Sequence, residues 1–265
     1  MKKIISILII SLLLFTAAPK AEIADAADAN NVHEIEYITK DGYILKSTLT
    51  FPNKKLKTYP LVVLIHSWAQ SSKFWGKLPD ELLKNGYAIL QIDLRGHGMS
   101  NYMTNMKQRS YIYLSKEAIQ KIPNDVYQIL AQVFSTYSNL SHKEIFFIGA
   151  DIGASAAIYV ANNLGIPPGA MILISPQVNF KGIYTPNMIV DLGNVPILAV
   201  AGRNDTYSTS QIKTLKKYAQ GSFSFLSLPH GGPGMVCLTV NDGAASTLTT
   251  WLMQKTPSKQ QTQSK

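Results

Sequence analysis

The chain has 265 residues, 46% of them hydrophobic and 15% charged, a formal charge of +9 and a single cysteine. That much apolar side chain excludes a disordered polymer, and one cysteine excludes a disulfide scaffold, so stability must come from a buried core. No basic run interleaved with aromatics, metal-ligand cluster or cofactor fingerprint appears; the expected partner is a small-molecule substrate, with no nucleic acid and no cofactor.

Lys2 and Lys3 precede an apolar run from Ile4 to Phe15, followed by Ala24-Asp25-Ala26 and Ala27-Asp28-Ala29. Charged start, apolar middle and small-residue sites read as a secretory signal peptide over 1–29; the run is short for a membrane span, with an uncleaved anchor as the alternative. The expected protein is therefore exported, to a periplasm or out of the cell. Residues 30–252 form one domain, and 253–265 read as a disordered basic tail. Its lysines, like Lys54, Lys55 and Lys57, read as solvated, with weak contact to an anionic surface as the alternative. Cys237, in Met235-Val236-Cys237-Leu238, reads as a small buried hydrophobe.

The domain opens with alternating residues over His33–Ile38 and Tyr43–Leu45 about Asp41-Gly42, a hairpin signal. After Pro60, the apolar run 61–65 suits the middle of a parallel sheet. Further strands are expected at 88–92, 145–148, 170–174, 197–201 and 223–228. Helix-length segments lie between them at 78–85, about 115–136, 153–163, 208–219 and 244–255, with Ser115 and Ser208 as caps. Alternating strand and helix defines an α/β fold with a mostly parallel sheet covered on both faces.

Ligands of such sheets bind beyond the carboxyl ends of the strands. The ends here carry His66-Ser67-Trp68-Ala69-Gln70, Asp93-Leu94-Arg95-Gly96-His97-Gly98, Gly149-Ala150-Asp151-Ile152-Gly153, Gly202-Arg203-Asn204-Asp205 and Pro229-His230-Gly231-Gly232. The third is the most informative. An apolar strand stopping at Gly-x-Asp-x-Gly before a small-residue helix has the form of a nucleophile elbow, with aspartate where serine is usual.

On these motifs the chain resembles the α/β-hydrolases from about His33 to Trp251, and is similar to small bacterial members without a cap domain, near the dienelactone-hydrolase group. The resemblance implies the chain order nucleophile, acid, histidine, which Asp151, Asp205 and His230 follow. Asp205 would fix the tautomer of His230, and His230 would act as general base. The plainer role for Asp205 is to cap the helix near Ser208. The oxyanion hole would use the backbone N–H groups of Ile152 and Trp68, with Ser67 in place of the usual glycine. His66 and His97 read as structural, the first orienting its loop.

An aspartate at the head of a helix is expected to stay ionised without a base. Toward an acyl carbon it is a weaker nucleophile than a serine alkoxide. Displacement at an alkyl carbon, giving an alkyl ester that water then hydrolyses, suits it better. Haloalkane dehalogenases and epoxide hydrolases share this logic, but Ile152 stands where those carry tryptophan, and residues 175–195 are too few for their cap. The competing class is a catalytically degenerate hydrolase fold that binds without turnover.

Overall fold

The structure, a computed structural model, describes residues 31–257. The expected leader and residues 258–265 of the expected tail lie outside the described residues.

Strands β1 (Val32–Ile38) and β2 (Tyr43–Thr50) form the antiparallel hairpin, pairing Ile38 with Ile44 across the Asp41-Gly42 turn. β3 (Tyr59–Ile65) and β4 (Ala88–Ile92) follow, with helix α1 (Leu78–Lys84) between them. β5 (Tyr102–Met103) is a short strand on β2. Helices α2 (Lys116–Gln120) and α3 (Ile122–Thr136) lead to β6 (Leu140–Ala150), α4 (Ile152–Asn163) and β7 (Ala170–Ile174). The hairpin β8 (Asn179–Phe180) and β9 (Ile183–Tyr184) and helix α5 (Pro186–Asp191) fill the stretch before β10 (Ile197–Gly202). The chain closes with α6 (Thr206–Lys216), β11 (Phe223–Leu228), α7 (Val236–Thr239) and α8 (Ala244–Met253).

The sheet order is β1-β2-β4-β3-β6-β7-β10-β11, parallel from β4 onward, so the edge hairpin extends an otherwise parallel sheet. β3 shows why its sequence is apolar throughout. Leu61, Val63 and Ile65 join the core beneath α3 and α4, while Val62 and Leu64 join a second core beneath α1 and α8. Both faces are covered, and each large aliphatic side chain contributes roughly 1.5–3 kcal/mol by leaving water.

Three expectations change. The single helix over 115–136 is two, because Pro123 has no N–H to donate and is tolerated only in the first turn of a new helix. Ser115 caps α2 as expected, but α6 starts at Thr206 with Asp205 as its cap, not Ser208. The domain also runs past 252: Thr256 is fully buried, its hydroxyl bonded to the Tyr87 hydroxyl at 2.7 Å and to the Leu252 carbonyl at 2.8 Å. The beginning of the expected tail is thus part of the packed body. Cys237 is buried as expected, and burial pushes its thiol up to about 12.

Candidate active site

The residues after β3, β4, β6, β7, β10 and β11 meet at the carboxyl end of the sheet. Asp151, between β6 and α4, has φ 55° and ψ −114°, a backbone conformation rare for a residue with a side chain. Its N–H donates to the Ile174 carbonyl at 2.9 Å, which holds the turn against β7. The flanking glycines are required by close approach: a Cβ at Gly149 would overlap the Gly153 carbonyl, and one at Gly153 would overlap the Ile65 carbonyl. The elbow therefore has the strained geometry its sequence announced.

The Asp151 carboxylate is mostly buried and accepts from both sides. Oδ2 takes the Trp68 backbone N–H at 3.3 Å, and Oδ1 takes Nε2 of Gln177 at 2.5 Å. The Ile152 backbone N–H also stabilises the charge. Burial nevertheless raises the carboxyl to about 6, opposed by those three donors and reinforced by the negative charge of Asp205. Desolvation thus outweighs the donors and raises the group above the usual carboxylate range, yet at pH 7 it is still mainly ionised, as expected from its place at the helix terminus.

Trp68 owes its position to two buried histidines. His66 Nε2 accepts from the Leu94 N–H at 3.0 Å and His97 Nε2 from the Ala69 N–H at 3.2 Å. An acceptor at Nε2 leaves the proton on Nδ1, where it meets the Ser67 carbonyl at 2.8 Å and the Arg95 carbonyl at 2.9 Å respectively. Ala69 is at φ 62°, so the turn beside Trp68 is held in a costly conformation by these bonds. Burial pushes both imidazoles down to about 4. Asp93 ties the same two loops together, accepting from the Ser72 and Met99 N–H groups at 2.7 and 2.9 Å. Arg95 anchors the second loop: fully buried, it reaches Asp125 at 2.5 and 2.8 Å and Asp41 at 2.8 Å.

Beside the Trp68 loop, the hairpin of β8 and β9 sets Phe180 5.7 Å from the Trp68 ring and Lys181 Nζ 4.3 Å above it, while Tyr111 stands edge-on at 5.4 Å. A two-strand flap thus stands where a cap domain would, and Gln177, just before it in the chain, reaches Asp151.

Asp205 and His230 are not joined. Asp205 is buried and caps α6: Oδ1 accepts the Ser208 N–H at 2.9 Å and Oδ2 the Ser175 hydroxyl at 3.0 Å. Its plainer role is therefore the one its contacts display. His230 is exposed, with its backbone clamped by Asn241 through N–H to Oδ1 at 3.1 Å and Nδ2 to carbonyl at 2.8 Å. Among the described residues, no hydrogen bond or ion pair links its imidazole to Asp205 or Asp151. The expected contact between His230 and Asp205 is not formed in this structure, and the reason lies in the loop after β11. It turns at Gly231 (φ 98°) and sends inward not the imidazole but the backbone of Gly234 and Met235, whose N–H groups reach Ser175 Oγ at 2.9 Å and Ser67 Oγ at 3.1 Å.

Of the expected site residues, the fold brings together Asp151, Trp68 and Ile152 and sets Asp205 nearby, with His230 apart. Gln177 and Ser175 complete the neighbourhood; their sole sequence signal was a position just after the strand beside the elbow. Among the described residues no three His, Cys, Asp or Glu side chains converge to hold a metal.

This sheet, elbow and loop arrangement define an α/β-hydrolase. Residues 57–222, more than half the chain, match the family described as serine aminopeptidase, S33, and the protein belongs to that family of hydrolases. Solved structures share the fold at low identity. Dienelactone hydrolase from Anabaena variabilis superposes with a TM-score of 0.60 at 16% identity, over 84% of this chain and 95% of that one. The DcsB complex with its substrate analogue gives 0.65 at 12% identity, covering 85% and 99%. Est1E from Butyrivibrio proteoclasticus with ferulic acid bound gives 0.59 at 18% identity, covering 82% and 95%. No curated protein matches the sequence.

Proposed function

We propose that this hydrolase works through Asp151 as a nucleophile toward a saturated carbon of a small substrate. The observation that carries the reading is the seat of the carboxylate, with one oxygen on the Trp68 N–H at the apex of a strained elbow. Attack by Oδ1 forms a carbon–oxygen bond as the leaving group departs with its electron pair. The resulting ester keeps its carbonyl oxygen in the hole made by Trp68 and Ile152, where charge develops when water adds. His230 takes the proton of that water, with Asp205 behind it. The alkoxide then leaves as the alcohol and Asp151 is regenerated. For this second half the Gly231–Gly234 loop must carry His230 inward once substrate displaces Gln177 from Oδ1. The leader motif supports an exported protein, meeting its substrate outside the cytoplasm.

A second reading is a catalytically degenerate binding protein. It is supported by the Asp205 carboxylate being engaged by Ser175 and Ser208 while His230 stands apart.

Intact-mass analysis after exposure to panels of short haloalkanes and epoxides separates the two. An adduct on wild type that is absent from Asp151→Asn, and that persists longer in His230→Ala, supports the nucleophilic reading. No adduct and no product with either panel, together with no esterase activity in Asp151→Ser, supports the binding reading.

A further inference from the structure

Between β4 and α2 the chain makes one long excursion, and from Leu94 to Ser115 it contains no aspartate or glutamate. The excursion is well tied down by its backbone. Tyr102 bridges Gln108, Met103 N–H reaches the Lys107 carbonyl at 3.0 Å, Arg109 N–H reaches the Asn101 carbonyl at 2.7 Å, and Tyr111 N–H reaches the Gly96 carbonyl at 2.8 Å. While Leu94, Met103 and Leu114 pack against the core, several other large apolar side chains face outward: Met106, Tyr113 and Ile112 are 75%, 73% and 62% exposed, and Met99 and Tyr102 are exposed as well. Ordered backbone presenting bare apolar side chains in a segment without carboxylates calls for a partner that is apolar and negatively charged. Among the described residues, Lys107 and Arg109 in the same segment form no ion pair, and Lys181 lies over the neighbouring Trp68 ring.

The geometry points to the segment Met99–Tyr113 as a docking surface for a membrane containing anionic lipid. Met106, Ile112 and the tyrosines suit the boundary between headgroups and acyl chains, and Lys107 and Arg109 suit lipid phosphates. Contact is superficial, since among the described residues no helix is long and apolar enough to cross a bilayer. Docking would set Tyr111, and through it the Trp68 mouth of the site, against the lipid surface. The inference stands whether or not Asp151 reacts.

The test uses an environment-sensitive fluorophore on the full chain, attached at Tyr113→Cys. Cys237 is buried, with its thiol pushed up to about 12, and does not compete for label. A control reporter at Lys143→Cys sits at the start of β6, the opposite end of the sheet. Vesicles of phosphatidylcholine mixed with phosphatidylglycerol should blue-shift the 113 reporter and leave the 143 reporter unchanged. The shift should weaken with salt and be absent with phosphatidylcholine alone. Adding Lys107→Glu and Arg109→Glu should weaken vesicle binding by about tenfold or more; Lys107→Glu alone, on an exposed tip, covers the case in which the double variant unfolds. No shift with anionic vesicles, equal shifts at both reporters, or a lipid-free shift that grows with protein concentration would overturn the proposal. The last would mean that the surface meets a second copy of the chain.

Discussion

The Trp68 backbone N–H donates to Oδ2 of Asp151 at 3.3 Å, joining residues 83 apart in sequence. A carboxylate thus rests against a donor that, in an acyl-transfer enzyme, serves the oxyanion of an intermediate. Its consequences for charge can be measured.

The first concerns Asp151 itself. Its carboxyl is raised from 3.8 in the free side chain to about 6, so the folded state binds the proton more tightly than the unfolded chain. Between about pH 4 and 6 this contribution therefore falls as pH rises, and above 6 the ionised group costs about 3 kcal/mol. Asp151→Asn removes the titration, and a rotated Gln177 amide can still bond to it. Denaturant melts should show the variant more stable than wild type by up to about that amount at pH 7, with the gap closing below pH 4.

Gln177 should tune that titration. Its amide donates to Oδ1 at 2.5 Å and favours the charged form, so Gln177→Leu raises the Asp151 midpoint above 6. The carboxyl stretch followed by difference infrared spectroscopy, with Asp151→Asn as the blank, reports the shift directly.

The histidines act in the opposite direction. His66 and His97 are held neutral, pushed from 6.5 down to about 4 by burial, so the unfolded chain binds more protons between those values. Their contribution is complete above about 6.5 and is lost as pH falls toward 4. His97→Gln keeps an acceptor for Ala69 without the titration. Its acid-unfolding curve should be shallower over this window than that of wild type, even where its stability at pH 7 is lower.

Arg95 should matter for stability more than any surface cation. It is fully buried between Asp125 and Asp41, so Arg95→Ala leaves a buried carboxylate without its partner. The expected loss is about 3–5 kcal/mol in urea unfolding, whereas Lys84→Ala, which removes an exposed pair with Glu81, should cost under about 1 kcal/mol.

Much of this was legible in the sequence where a local rule coincides with the tertiary demand. Runs 88–92 and 170–174 are strands to the residue because both faces of those strands are covered and, Gln91 apart, every position had to be apolar; 223–228 also matches to the residue, although on this edge strand only Phe223 and Leu228 are buried. The elbow was legible because no residue but glycine fits at 149 and 153. The engagement of Asp205 was not. A carboxylate after a strand and before a helix serves equally as acid or cap, and the choice depends on where the loop after β11 turns its backbone, which the pattern Pro229-His230-Gly231-Gly232 leaves open. The flap escaped because two-residue strands carry no periodicity, and the burial of Thr256 because a single threonine in a polar tail has no signature.

The most direct measurement is multiple turnover in water enriched in heavy oxygen, with a substrate that gives product, followed by mass analysis of the peptide containing Asp151. If Asp151 is the nucleophile, that peptide gains heavy oxygen while the first product released carries the original carboxylate oxygen. Product formed with Asp151 unlabelled, its oxygen drawn from water in the first turnover, would contradict the assignment.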